Sequence, residues 1–139
     1  MRFILRIVLI AGLGFLCGTY LPQFPLWPTM LGAFLVGVLL SRRKRNWVFG
    51  KKQPPAYAFL AGFIALALVW GIMALTRDMA NASLLSDKVG GIFDVFLGLE
   101  GEWFLPKPIL LVILTGLIGG LAGGFSAMTG NLFGEAVKS

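Results

Sequence analysis

The chain has 139 residues, of which 58% are hydrophobic and 13% charged, with a mean hydropathy of +0.87 and a pI near 10.0. A soluble domain carries about 25% charged residues, so this composition points to lipid as the solvent; at about 20 residues per crossing the length suits one domain, 1–139, of four spans. Histidine is absent and there is one cysteine, which excludes imidazole catalysis, a Cys–His pair, a zinc site of several Cys or His ligands and an intrachain disulfide.

The first apolar stretch, Phe3–Leu21, is interrupted only by Arg6. One turn from the end, that arginine is expected to snorkel to the headgroups. A basic start and an apolar run have the general form of a signal peptide, but no Ala-x-Ala follows. Bulky Phe15 and Leu16 precede Cys17, where a lipoprotein signal needs small residues. A retained span with a buried thiol is the expectation. The second stretch, Leu26–Leu40, is short, its start delayed by Pro22, Pro25 and Pro28. It still spans if Pro28 sits in the first turn, where a missing N–H costs nothing.

The connection that follows, SRRKRNWVFGKK, concentrates Arg42, Arg43, Lys44, Arg45, Lys51 and Lys52. Such a cluster could neutralise nucleic-acid phosphates. Between two spans, however, it fixes topology and holds anionic lipid headgroups, at about 1 kcal/mol per residue. Lipid contact is expected here, not nucleic acid.

The third stretch, Ala56–Leu75, has no charge over 20 residues. After it, Thr76–Pro108 is long for a plain connection. Within it, Leu85, Val89, Ile92, Phe93, Phe96 and Leu97 recur at helical spacing, with Asp87 and Asp94 opposite and Gly90, Gly91 and Gly98 nearby. This predicts an amphipathic helix of about four turns, too short to span, lying on the outer membrane face or folded over the bundle. Trp103 and Phe104 anchor the return, and Pro106 and Pro108 mark entry to the last span. The spacing of Asp87, Asp94, Glu100 and Glu102 matches no calcium loop, so these acids are read as a solvated face without metal or catalytic role.

The fourth stretch, Ile109–Phe133, holds two rows of small residues four apart: Gly116, Gly120 and Gly124, and Gly119, Gly123 and Ala127. Together they form one flat stripe, a glycine zipper. Glycine costs a helix roughly 1 kcal/mol relative to alanine, and close approach of another backbone explains so many on one face. The same logic recurs at Gly14/Gly18 and Ala58/Gly62. Packing within the bundle, a homo-oligomer seam, docking on another membrane protein and a narrow pore all use such a face. Ser126, Thr129 and Asn131 are the candidate polar lining near its inner end.

Placing both termini and the basic connection on one side collects nine of the twelve basic residues there, a net charge of +8 against −2 on the other. The positive-inside rule then puts both termini in the cytoplasm. The predicted architecture is an all-α integral membrane protein: four transmembrane helices, N-in and C-in, with an amphipathic outer helix between the third and fourth. No ionisable group lies deep in a span, which disfavours ion-coupled transport. Nucleotide and hydrolase motifs are missing, no cofactor is implied, and the unlike connections give no internal repeat.

The stretch Leu84-Leu85-Ser86-Asp87-Lys88, followed by a glycine-rich last span ending Ala127-Met128-Thr129-Gly130, resembles small four-span inner-membrane proteins of Bacteroidota in which "LLS-x-K" precedes a span ending "Ala-x-Thr-Gly". The resemblance runs from the third span to Gly130 and implies a bacterial inner membrane and nothing catalytic. It singles out Leu84, Leu85, Ser86, Lys88 and the Gly116–Gly130 face. The expected function is that of an accessory or structural subunit, or an assembly factor, docking through the glycine face of the last helix. An oligomeric passive pore or small permease is the rival. An enzyme acting on lipid through Asp87 or Asp94 is a distant third.

Overall fold

The structure is a computed structural model and describes residues 2–21, 26–41, 54–98 and 106–137. These form five helices: α1 (Arg2–Tyr20), α2 (Leu26–Ser41), α3 (Pro55–Ala80), α4 (Leu84–Leu97) and α5 (Lys107–Ala136). Proline opens three of them, as Pro28 lies in the first turn of α2, Pro55 begins α3 and Pro108 stands second in α5. Each has φ preset for the helix at a place where its missing N–H leaves no bond unmade. α1, α3 and α5 are long and apolar enough to cross a membrane, whereas α2 is a shorter apolar helix. Its 16 residues rise about 24 Å, a few ångströms less than a typical hydrocarbon core.

α1, α2, α3 and α5 run alternately up and down. Phe3 meets Tyr57 edge-on at 6.2 Å, and the end of α5 lies on the end of α2, where Gly134 faces Val38 and Ser41. The start of α1, the end of α2, the start of α3 and the end of α5 thus share one end of the bundle. The α3–α4 turn stands at the other.

Packing is the reverse of a water-soluble bundle. Ala33, Ala58, Ala61, Ala65 and Ala127 are fully buried, while Ile4, Val8, Leu31, Leu39, Leu68, Ile72 and Ile118 point outward. Exposed apolar surface on this scale is foreign to soluble monomers. Small residues between helices and large ones outside are the arrangement of a helical membrane protein, where tight packing replaces the hydrophobic effect as the force between helices.

The glycine stripe of α5 is occupied by the chain itself. A Cβ on Gly123 would lie 2.7 Å from the Gly62 carbonyl oxygen, and a Cβ on Gly62 would strike the Gly123 carbonyl oxygen. Gly116 faces the Ala67 carbonyl, and the rings of Trp70, Phe63 and Phe59 lie over Gly119, Gly120 and Gly124. Ala127 shares the seam, its carbonyl against Gly37 of α2, and Gly130 lies against the Phe34 carbonyl. α5 is therefore wedged between α3 and α2. Gly14 and Gly18 of α1 do the same work against Leu66 and Met73.

Two elements differ from the sequence expectation. α3 does not end with its apolar run at Leu75 but continues to Ala80, so Thr76, Arg77 and Asp78 are helical. Arg6 does not snorkel: it is 4% exposed and its Nη2 donates to Asn131 Oδ1 at 2.8 Å. A carboxamide on the facing helix holds the guanidinium inside the bundle, replacing the headgroups as its acceptor.

Candidate functional site at the α3–α4 turn and the polar ends of the bundle

Polar chemistry gathers at the two ends of the bundle. At the end where α1 begins and α5 finishes, Asn131 is 2% exposed. Its amide accepts from Arg6 and donates to Glu135 Oε1, one turn on, at 3.3 Å. Asn131 is thus committed to holding α1 on α5. Thr129, about 160° away around the helix, is exposed and donates to its own Phe125 carbonyl, and Ser126 is half-buried. The three candidate lining residues do not share a face. Arg42, Arg43, Lys44, Arg45, Lys51 and Lys52 lie outside the described residues, as do Trp103 and Phe104.

At the other end the chain reverses in three residues, with Ala82 and Ser83 both left-handed at φ 52° and 63°. That backbone is unfavourable for residues with a Cβ, by roughly 1 kcal/mol each. Asp78 holds it in place. Its main-chain carbonyl accepts from Ser83 N–H at 2.9 Å, and its carboxylate Oδ1 accepts from Ser86 N–H at 2.8 Å. Asp78 is 1% exposed and serves as the cap that α4 lacks, its own Ser83 making no side-chain cap bond. An anion at the positive end of a helix is favourable twice over, by hydrogen bond and by dipole.

α4 rests on the start of α5 at Gly90, buried against the stem of Lys107, while Ser86 is buried on its bonds to Asp78 and Ser83. Lys107 Nζ stands 3.8 Å from Asp87, an exposed pair worth little energy. The apolar stripe of α4 faces out, with Val95 86% and Phe96 83% exposed beside Ile92. So the bundle takes one flank of this amphipathic helix and leaves the apolar centre uncovered.

Between α1, α3, α4 and α5 lies a cleft of about 190 Å³. Gly18 and Ala74 form its buried floor, Trp70, Met73 and Thr115 its half-buried walls, and the exposed Arg77 and Leu85 its mouth. Arg77 reaches from α3 to α1, where its Nη2 donates to the Gly18 carbonyl at 3.1 Å. That carbonyl belongs to the last turn of α1, whose acceptors have no partner within the helix. The residues that organise this end, Arg77 and Asp78, carry no sequence signal beyond an acid placed six residues before the start of a helix. No group of three or more His, Cys, Asp or Glu able to hold a metal occurs among the described residues.

Among the described residues the fold is all-helical, with three helices long and apolar enough to cross a membrane and one shorter apolar helix. Comparison of the chain with protein-family models, curated proteins and solved structures finds no match in any of the three.

Proposed function

We propose that the protein is a small integral membrane protein with four spans that acts as an accessory subunit or assembly factor, not as a catalyst or a conduit. The single observation that carries this is the state of Asn131. Of the three candidate lining residues, Asn131 is the buried one, hydrogen-bonded between Arg6 and Glu135, and is therefore unavailable to a permeating solute. The glycine face of α5 is filled by α2 and α3, so the surface offered to a partner in this reading is the exposed edge of α4 around Ile92, Val95 and Phe96.

Native mass spectrometry of the protein extracted in mild detergent from its own membrane tests this. A stoichiometric complex with a larger membrane protein is expected, and Val95→Glu with Phe96→Glu should release it while leaving the bundle folded. A lone monomer, or a complex indifferent to the double substitution, would overturn the proposal.

The same proposal places both termini and the basic connection on the cytoplasmic face of a bacterial inner membrane. What supports it is the shared end of α1, α2, α3 and α5, which flanks nine of the twelve basic residues. With Cys17 replaced by serine, a cysteine put in place of Asn81 is expected to react with an impermeant maleimide on intact cells. Labelling only after lysis would reverse the orientation.

A further inference from the structure

The cleft between α1, α3, α4 and α5 is built for an amphiphile. Its floor and walls are apolar but for the Thr115 hydroxyl, and its mouth holds a cation. The Arg77 guanidinium is held on the last turn of α1 by the Gly18 carbonyl, while Trp70 springs from α3 two turns earlier, so the cation stands at the mouth and the indole wall deeper, as the headgroup and the upper acyl chain of a lipid do. The volume of about 190 Å³ suffices for a stretch of hydrocarbon, since an apolar cavity of about 150 Å³ takes up benzene.

Two further observations point to an occupant. Arg77 uses one N–H on the Gly18 carbonyl and remains exposed. Its neighbour Asp78 is turned away into the α4 cap, and among the described residues Arg77 makes no ion pair. The second observation concerns threonines. Thr19, Thr29, Thr76 and Thr129 each donate to a carbonyl of their own helix, the usual resort of a hydroxyl in an apolar bundle. Thr115 is the exception: among the described residues its hydroxyl makes no such bond, and it lines the cleft on the α5 side. A cation at the mouth and a hydroxyl on the facing wall match the phosphate and the ester oxygens of one lipid.

We propose that this cleft binds a single diacyl phospholipid, its phosphate held by Arg77, an ester oxygen by the Thr115 hydroxyl, and one acyl chain lying along Trp70 and Met73. The site does not depend on α4 docking a partner protein.

Trp70 is a reporter inside the site. The full-length protein carrying Trp27→Phe, Trp47→Phe and Trp103→Phe, in dodecyl maltoside micelles, is titrated with phosphatidylglycerol brominated on its acyl chains. Quenching of Trp70 is expected to saturate near one lipid per protein. Brominated diacylglycerol, which lacks the phosphate, should give only a shallow, unsaturating decline. A companion protein retaining Trp27 alone, on exposed α2 surface, should show that same shallow decline with both lipids. Arg77→Gln should raise the half-saturating lipid concentration about tenfold and Arg77→Lys less; Thr115→Val, which keeps the side chain's shape, should raise it about threefold. Quenching of Trp70 that never saturates, or that diacylglycerol reproduces, would overturn the proposal. So would a half-saturation unmoved by Arg77→Gln or, should that variant not fold, by Thr115→Val.

Discussion

Replacing Gly123 with leucine is expected to lower the melting temperature of the detergent-solubilised protein by about 10 °C or more, while the same change at Gly12 leaves it unchanged or slightly raised. The difference lies in what the new side chain meets. At Gly123 the first carbon already lies 2.7 Å from both the Gly62 carbonyl oxygen and a Leu66 methyl, and a backbone carbonyl inside a helix cannot step aside. Overpacking a rigid seam costs about 3 kcal/mol, and for a chain of this size each kcal/mol moves the midpoint by roughly 3–4 °C. At Gly12 nothing lies within 4 Å, and leucine recovers part of the roughly 1 kcal/mol that glycine costs a helix. Thermal unfolding followed by circular dichroism separates the two. Equal melting points would mean that α3 and α5 do not approach as closely as Gly62 and Gly123 indicate. Should Gly123→Leu leave the monomer stable and disperse a larger complex, the seam would belong between chains.

The second large effect is expected at the buried arginine. Asn131→Leu removes the acceptor 2.8 Å from Arg6 Nη2 and leaves a guanidinium inside the bundle short of a hydrogen bond. Hydrogen bonds to charged groups contribute about 1.5–3 kcal/mol, and Asn131→Leu is expected to cost about that much. Arg6→Leu combined with Asn131→Leu removes charge and acceptor together, and this double variant is expected to melt above Asn131→Leu alone. A double-mutant cycle on the melting free energies reads the coupling directly. Additive losses at the two sites would show that Arg6 draws its support from elsewhere.

Some of this molecule was open to inspection in the sequence. The uncharged run around Ala56–Leu75 and the glycine-rich run from Ile109 announce helices in lipid, because apolar length is itself the physical requirement. The spacing from Leu85 to Phe96 shows α4 for the same kind of reason, since one-sided burial demands a period of 3.6. The end of α3 was not legible. Hydropathy reports where lipid stops, not where the helix stops, and the five residues from Thr76 to Ala80 continue the hydrogen-bond ladder after the apolar run has ended. Asp78 lies among those five residues, and nothing in hydropathy tells that it is buried and caps the next helix. The bond between Arg6 and Asn131 joins residues 125 apart. No local pattern encodes such a pair, and Arg6 near a helix end has a cheaper fate available in the headgroups. The glycine stripe was visible as a surface needing a close neighbour, but the identity of the neighbour is a matter of tertiary packing.

The wedge position of α5 bears on how the chain is assembled. α2 and α3 follow one another in the sequence, yet they meet chiefly through their neighbours: α1, made before both, gives Ile10 to the core, and α5, made after both, closes the other side with its glycine face and Ala127. Until α5 arrives, the face of α2 around Phe34 and Gly37 and the face of α3 around Phe59, Gly62 and Phe63 have nothing to close upon. A growing chain halted before residue 107 would thus expose two grooves made to fit one absent helix. Closure of this side of the bundle therefore waits for α5, and any factor that shields a half-made chain has those two grooves to hold.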